Sequence, residues 1–407
     1  MNMVEYTKIP EVNNYLKSVK NEIQEKQIQE SLLLELYQHM EDSATEQIEN
    51  GMSEEAAWHY ALASMGDASE TGKALNRVHQ KRNPLLPLLV TGISVLIALF
   101  FSFSLIQYHG MLKNNIIYRI YACVIILSLV YFGNHILKKE KLVYALYTLL
   151  FGFTIISGSH TLLFAIFMLS ILILAYWEIR PESYFSFASI IIYAVMMCLC
   201  KYPHDTYTLT AAFILTISFS SIIISSKFNT KKIKYIKVLS IIVLFTFIYY
   251  PSIYSRWEAY IKVFSIESMN IFTLLKNACF IGKSFVCEGL PYALPNYYTD
   301  YHILYWILSY GIFPAVILLT LASGMYIILY ATIKKISNHK HQLLAIGCFT
   351  CLLMQFMLYI LGNFGLLFLN FPSFPIISEG ISSITINAIL IGTIFSLYRH
   401  DKTMVIT

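Results

Sequence analysis

The sequence predicts an all-α, polytopic membrane protein of about ten transmembrane helices, with a cytoplasmic three-helix domain at its N-terminus. Three observations carry this. The 407 residues are 57% hydrophobic and only 13% charged, against about 25% charged in soluble domains. The charge is uneven: residues 1–83 are rich in Glu, Lys, Gln and Asn, and from Pro84 onward long apolar runs alternate with short polar gaps. Lysine and arginine then recur in every second gap, as loops on the cytoplasmic face of a membrane require.

In the N-terminal domain, 1–83, a first helix is expected over 10–26. A second runs from Gln27 to Asn50, with Leu32, Leu33, Leu36, Met40 and Ala44 at helical spacing, and Gly51 as its C-terminal cap. Ser53 caps a third helix that carries Ala56, Ala57, Tyr60, Ala61 and Met65. An amphipathic stretch, 68–80, leads to Lys81 and Arg82 at the membrane. No apolar run long enough to cross a bilayer comes before Pro84, so this domain is expected in the cytoplasm.

In the membrane domain, 84–407, spans are expected near 85–106, 116–136, 142–157, 160–176, 184–200, 207–226, 236–252, 302–333, 343–367 and 376–398. With both termini inside, the internal loops hold Lys138, Lys139 and Lys141, then Arg180, then Lys227 to Lys237, then Lys334, Lys335 and Lys340, and finally Arg399 and Lys402. The external gaps at 157–160 and 368–375 hold no lysine or arginine. Removing one span would place a basic cluster outside. Residues 253–301 form the one long loop, external and aromatic, expected to fold onto the membrane surface. The net charge of +5 is accounted for by the internal loops and requires no nucleic acid. The seven cysteines have no zinc-ligand spacing. Cys123, Cys198, Cys200, Cys348 and Cys351 read as packing residues, and whether Cys279 and Cys287 pair is not decided by their spacing.

Chemistry is expected first at Asp300, a carboxylate where the long loop enters the eighth span. Partial desolvation there suits a general base, and the plainer role is a helix N-cap by Thr299 or Asp300. Arg256, Lys262, Lys276 and Lys283 could hold a diphosphate or could be solvated loop charge. Ser378, Glu379, Ser382 and Ser383 open the tenth span, where hydroxyls allow close helix approach. The stretch from Trp177 to Ser183 reads as a polar connector. No phosphate-binding glycine loop, paired-histidine zinc motif or nucleophile elbow is present.

The C-terminal half resembles the SEDS family, the FtsW/RodA/SpoVE group of ten-span bacterial cell-wall polymerases. Leu294-Pro295 through Thr299-Asp300-Tyr301 is similar to that family's Leu-Pro-Glu-Ala-His-Thr-Asp-Phe, and Phe280-Ile281-Gly282-Lys283 to its Gly-Leu-x-Gly-Lys-Gly. Gln355, Gly365-Leu366-Leu367, Pro375, Ser378, Gly380, Ser382-Ser383 and Asn387 match its closing pattern without a gap. The resemblance implies polymerisation of lipid II, an undecaprenyl-diphosphate-linked substrate, at the outer face of the bacterial cytoplasmic membrane. It places such a protein in cell division, elongation (cell shape) or sporulation. It implies Asp300 as catalytic residue, with Lys283, Arg256, Ser378, Ser382, Ser383 and Asn387 on the substrate. A class B penicillin-binding protein is the implied partner, and a divalent cation, Mg or Mn, is the cofactor such chemistry can use. The sequence departs from the family in several places, among them a Gln-Pro-Asp-Leu-Gly-Thr motif blurred into Tyr202-Pro203-His204-Asp205-Thr206. Its outer Arg-Trp-Ile and Gln-Pro-Ser-Glu motifs are missing. Its Gly-Glu-Glu-Leu-Gly reads Ile307-Leu308-Ser309-Tyr310-Gly311. Its histidine before Thr-Asp is Tyr298.

Glu35-Leu36, His39 to Asp42, Gly51 to Ala56 and Met65-Gly66-Asp67 resemble a second family, the helical module ahead of some bacterial permeases, which implies a cytoplasmic protein partner for residues 1–83. Two other readings are a non-catalytic scaffold or lipid-linked precursor binder of the same fold, and a solute transporter. The transporter is disfavoured because no span carries an evident pair of buried ionisable residues.

The topology is testable directly. A cysteine at Asn296 should react with a membrane-impermeant thiol reagent applied outside intact cells, and one at Asn338 should react only after permeabilisation; the reverse pattern removes the ten-span arrangement.

Overall fold

The computed structural model describes residues 9–24, 26–79, 82–85, 88–89, 91–93, 95–96, 112–157, 160–179, 187–200, 206–262, 264–289, 301–366 and 381–401. It is all-α among these residues, and the contacts divide the chain into two units, separated between Arg82 and Asn83.

The first unit has four helices where three were expected: α1 Pro10–Glu22, α2 Lys26–Glu49, α3 Glu54–Ser64 and α4 Ala68–His79. The amphipathic stretch before the membrane is itself a helix because its apolar face has a partner: α4 packs on α1. The approach is close enough that a Cβ at Gly72 would lie 2.7 Å from Glu22 Cβ. The expected caps form. The Ser53 side chain accepts from the Ala56 amide, and Gly51 takes the left-handed conformation at φ 93°. The core is Val12, Leu16, Val19, Leu32, Leu33, Met40, Ala57 and Ala61, with Trp58 stacked on Tyr37. His400 and Asp401 belong to this unit, and the Asp401 carboxylate pairs with Arg82 at 3.1 Å.

The second unit contains α5 Leu112–Leu137, α6 Glu140–Ser157, α7 His160–Glu178, α8 Ala188–Cys200, α9 Thr206–Ser225, α10 Lys231–Lys262, α11 Phe264–Lys276, α12 His302–Tyr310, α13 Ile312–Lys334, α14 His339–Asn363 and α15 Ile381–Arg399. Among the described residues, six helices are long and apolar enough to cross a membrane, and three shorter helical stretches are also apolar. This is a multi-pass membrane protein. The first expected span, 85–106, lies mostly outside the described residues.

α7 packs on α9, α14 and α15, α14 packs on α9 and α15, and α5 packs along α15. Small residues set these crossings. A Cβ on Gly347 of α14 would lie 2.6 Å from Ile222 of α9, and one on Gly392 of α15 would lie 2.8 Å from Leu129 of α5. Cys348 and Cys351 fill the same core, as expected, whereas Cys198 is exposed on α8. Hydroxyls bridge helices: Tyr193 with Thr216 at 2.7 Å, Ser221 with Thr350 at 3.2 Å, and Tyr176 Oη to the Leu137 carbonyl at 2.6 Å.

Two expectations change here. The segment after Pro251 is not a loop, since α10 runs through Pro251 to Lys262 and α11 follows it. A proline inside a helix removes one backbone hydrogen bond without ending the helix when the flanking turns persist. And the expected eighth span is two helices, broken at Gly311.

Glu178 changes the connector reading where the structure describes it, since Trp177 and Glu178 belong to α7 while 180–183 lie outside the described residues, and it removes the premise used against a transporter. It is the last residue of α7, buried, and paired with the buried Lys237 of α10, whose Nζ lies 3.0 Å from both carboxylate oxygens. Asn229 Nδ2 donates to Oε1 at 2.6 Å and Ser189 Oγ to Oε2 at 3.0 Å. One carboxylate therefore joins α7, α8, α10 and the turn before α10. Breaking such a pair from one side leaves an uncompensated buried charge. Glu178→Gln should therefore lower stability by roughly 3–5 kcal/mol, and Glu178→Gln with Lys237→Met should recover most of it, read by thermal unfolding in detergent.

Candidate functional site

Helix α12 starts immediately after Asp300-Tyr301, and its surroundings define the candidate active site. The helix is nine residues long, with His302 through Leu308 buried. Its N-cap position, Tyr301, makes no side-chain cap. A helix end buried in an apolar bundle must find partners for its first amides, and these come from α14. Tyr359 Oη accepts from the His302 amide at 3.0 Å and lies 3.2 Å from His302 Nδ1. Asn363 Oδ1 accepts from the Leu304 amide at 3.2 Å, while Asn363 Nδ2 donates to the Tyr359 carbonyl at 3.0 Å. For these two amides, the capping role weighed for Thr299 or Asp300 is filled from another helix.

The other end of α12 is held by the segment carrying Lys283. Gly311 breaks the helix at φ 102°, leaving the last carbonyls of α12 and the first amides of α13 without helical partners. Residues 279–284 supply them. The Gly282 and Ser284 amides donate to the Tyr310 and Leu308 carbonyls at 2.9 and 2.7 Å, and the Ile312 and Phe313 amides donate to the Cys279 and Phe280 carbonyls at 3.0 and 3.1 Å. Ser284 Oγ further donates to the Asn277 carbonyl at 2.6 Å. Glycine is required at 311 on two grounds: the positive φ, and a Cβ that would lie 2.7 Å from Ile281 Cα and from the Phe280 carbonyl oxygen. Lys283 sits between the two anchored amides with its side chain exposed. Cys279 and Cys287, on either side, are free thiols, and Cys287 Sγ lies 3.3 Å from Ser309 Oγ.

Of the expected site residues, Asp300 and Ser378 lie outside the described residues. Arg256 is half-buried on α10. Ser382 and Ser383 are half-buried on the first turn of α15, and Asn387 is buried one turn later, donating from Nδ2 to Ser383 Oγ at 3.2 Å. Among the described residues, Asn387 Oδ1 and, on α14, Gln355 Nε2 are buried without a hydrogen-bonding partner. Such atoms are rare in native proteins, and a polar ligand or a water is one way of completing the set. Among the described residues, no three His, Cys, Asp or Glu side chains gather as a metal site. Tyr359 and Asn363 went unnoticed in the sequence, and their one available signal was i, i+4 spacing below Gln355 on a single helix face.

The architecture is that of a chain in a solved peptidoglycan synthase complex, a structure described as coordinating polymerization and crosslinking. The two superpose with a TM-score of 0.55 over 77% of this chain and 96% of that one, at 15% sequence identity. No protein-family model and no curated protein matches the sequence.

The Gly311 junction gives a quantitative test. Gly311→Ala should cost about 2 kcal/mol or more, from the left-handed backbone and the contact with residues 280–281. Gly324→Ala, in open space on the same helix, should leave thermal unfolding in detergent unchanged or raise it slightly.

Proposed function

We propose that this protein acts in bacterial cell-wall synthesis as a glycosyltransferase that polymerises lipid II at the outer face of the cytoplasmic membrane. The observation that carries this is the fold shared with nearly the whole of a chain from a peptidoglycan synthase complex. It coincides with a Thr299-Asp300 segment leading into a helix clamped at both ends. In this reading the Asp300 carboxylate takes the proton from the acceptor sugar's 4-hydroxyl. That oxygen forms a bond to the anomeric carbon of the donor with inversion, and the anomeric carbon–oxygen bond to undecaprenyl diphosphate breaks. Lys283 and Arg256 offset the charge that develops on the departing diphosphate. Ser378, Ser382, Ser383 and Asn387 offer hydroxyl and amide groups to the sugars, and a divalent cation, if used, would travel with the diphosphate. The clamp on α12 serves positioning: the His302 and Leu304 amides are held by Tyr359 and Asn363.

The reading includes a class B penicillin-binding protein as crosslinking partner, a cytoplasmic protein as partner of residues 1–83, and both termini in the cytoplasm. The second reading, a scaffold or precursor binder of the same fold, is favoured by one observation. The stretch 307–311, which carries carboxylates in the SEDS family, holds none here, and its Ile307 and Leu308 are buried in α12.

Asp300→Asn keeps size and removes the base. With purified protein and lipid II, wild type should make glycan strands, and Asp300→Asn should be slower by about a hundredfold to ten-thousandfold at equal membrane abundance. Equal rates would remove Asp300 from the chemistry, and an inactive wild type in the presence of a transpeptidase partner would leave the scaffold reading.

A further inference from the structure

Between 227 and 237 the chain carries five lysines and no acidic residue. Two of the five have structural tasks. Lys237 is the buried partner of Glu178, and Lys234 Nζ donates to the Ile224 carbonyl at 3.0 Å, closing the C-terminus of α9. The other three, Lys227, Lys231 and Lys232, are exposed. Their ammonium groups make no hydrogen bond or ion pair among the described residues.

A second basic stretch is fastened to this one. The Lys227 amide donates to His339 Nε2 at 3.0 Å, and the Phe228 ring lies 5.6 Å from the imidazole. Residues 334–342 also contain no Asp or Glu. Within these two stretches every charged side chain is therefore positive, and the N-terminus of a 32-residue helix, α10, adds to the same sign.

An apolar flank begins immediately beyond these lysines. Tyr235, Ile236 and Leu239 are 73%, 53% and 63% exposed, and Val243 and Phe247 continue the exposed run along α10. Exposed apolar surface of this extent on a membrane-spanning helix faces acyl chains. Cations directly above it match a molecule that has an anionic head and apolar tails.

We propose that Lys227, Lys231 and Lys232, at the start of α10, form a headgroup site for an anionic phospholipid whose tails run along Tyr235 and Leu239. Free phosphate satisfies the lysines but leaves the apolar flank unused, so the occupant is the lipid. The site is independent of any catalytic role for Asp300.

The full chain in neutral detergent, titrated with phosphatidylglycerol or phosphatidylcholine and read by native mass spectrometry, tests this. Phosphatidylglycerol should bind in preference. Changing the three lysines together to Gln should weaken it on the order of a hundredfold, about fivefold for each, and changing them to Arg should preserve it. Removing the same charge at Lys138, Lys139 and Lys141 should leave binding intact. Equal binding of phosphatidylcholine, an unaffected Gln triple, or equal loss in the Lys138/Lys139/Lys141 variant would overturn the site. Displacement of the lipid by equimolar inorganic phosphate would assign it to phosphate instead and overturn the lipid assignment. Melting without lipid separates lost binding from lost fold. If the Gln triple does not fold, Lys231→Gln alone should bind about fivefold more weakly, and unchanged affinity there also overturns the proposal.

Discussion

A helix that ends inside an apolar bundle has no water to satisfy its terminal amides and carbonyls, and the candidate site is built around that constraint. α12 is short and buried, and both of its ends require partners from elsewhere in the chain. Tyr359 and Asn363 serve the N-terminus, and residues 279–284 serve the break at Gly311. Two segments far apart in sequence are thereby fixed against one helix, and with them the chain that follows Asp300 and the backbone that carries Lys283. The site depends on backbone hydrogen bonds more than on side-chain packing, which is why one glycine conformation has such wide effect.

Elsewhere the second unit uses different means at different depths. In the middle of the bundle, glycines let helices approach and hydroxyls bridge them one pair at a time. At the end where α7 stops and α10 begins, a full charge pair replaces these weak contacts, with Ser189, Asn229 and Lys237 all donating to the Glu178 carboxylate. A pair of this kind contributes less net stability than its Coulomb attraction suggests. It does oppose any arrangement in which only one partner is buried.

The fold class was legible because hydropathy and the lysine pattern depend on composition over long windows, which single residues cannot disturb. What was not legible depends on contacts. Glu178 reads as connector because its partner is 59 residues away. The break at Gly311 is hidden because apolar residues flank it and glycine is common in membrane helices. Arg256, Lys262 and Pro251 make the extension of α10 read as loop, since polarity and proline usually end a span. In the first unit, the sequence shows 68–80 only as an amphipathic stretch, because its apolar face has meaning only against α1. Of the site, the basic and hydroxyl residues were visible as types, whereas the clamp formed by Tyr359 and Asn363 depends on a helix packed across from them.

The Glu178–Lys237 pair also constrains biogenesis. Glu178 is synthesised 59 residues before Lys237, and in the interval two further apolar helices, α8 and α9, are made. Until Lys237 emerges, the carboxylate at the end of α7 lacks the cation it is buried against, and burying it alone would be costly. α7 can therefore enter the lipid early but reach its final burial only after α10 has begun. The last step in closing this end of the bundle is thus set by the order in which the ribosome delivers a base to an acid.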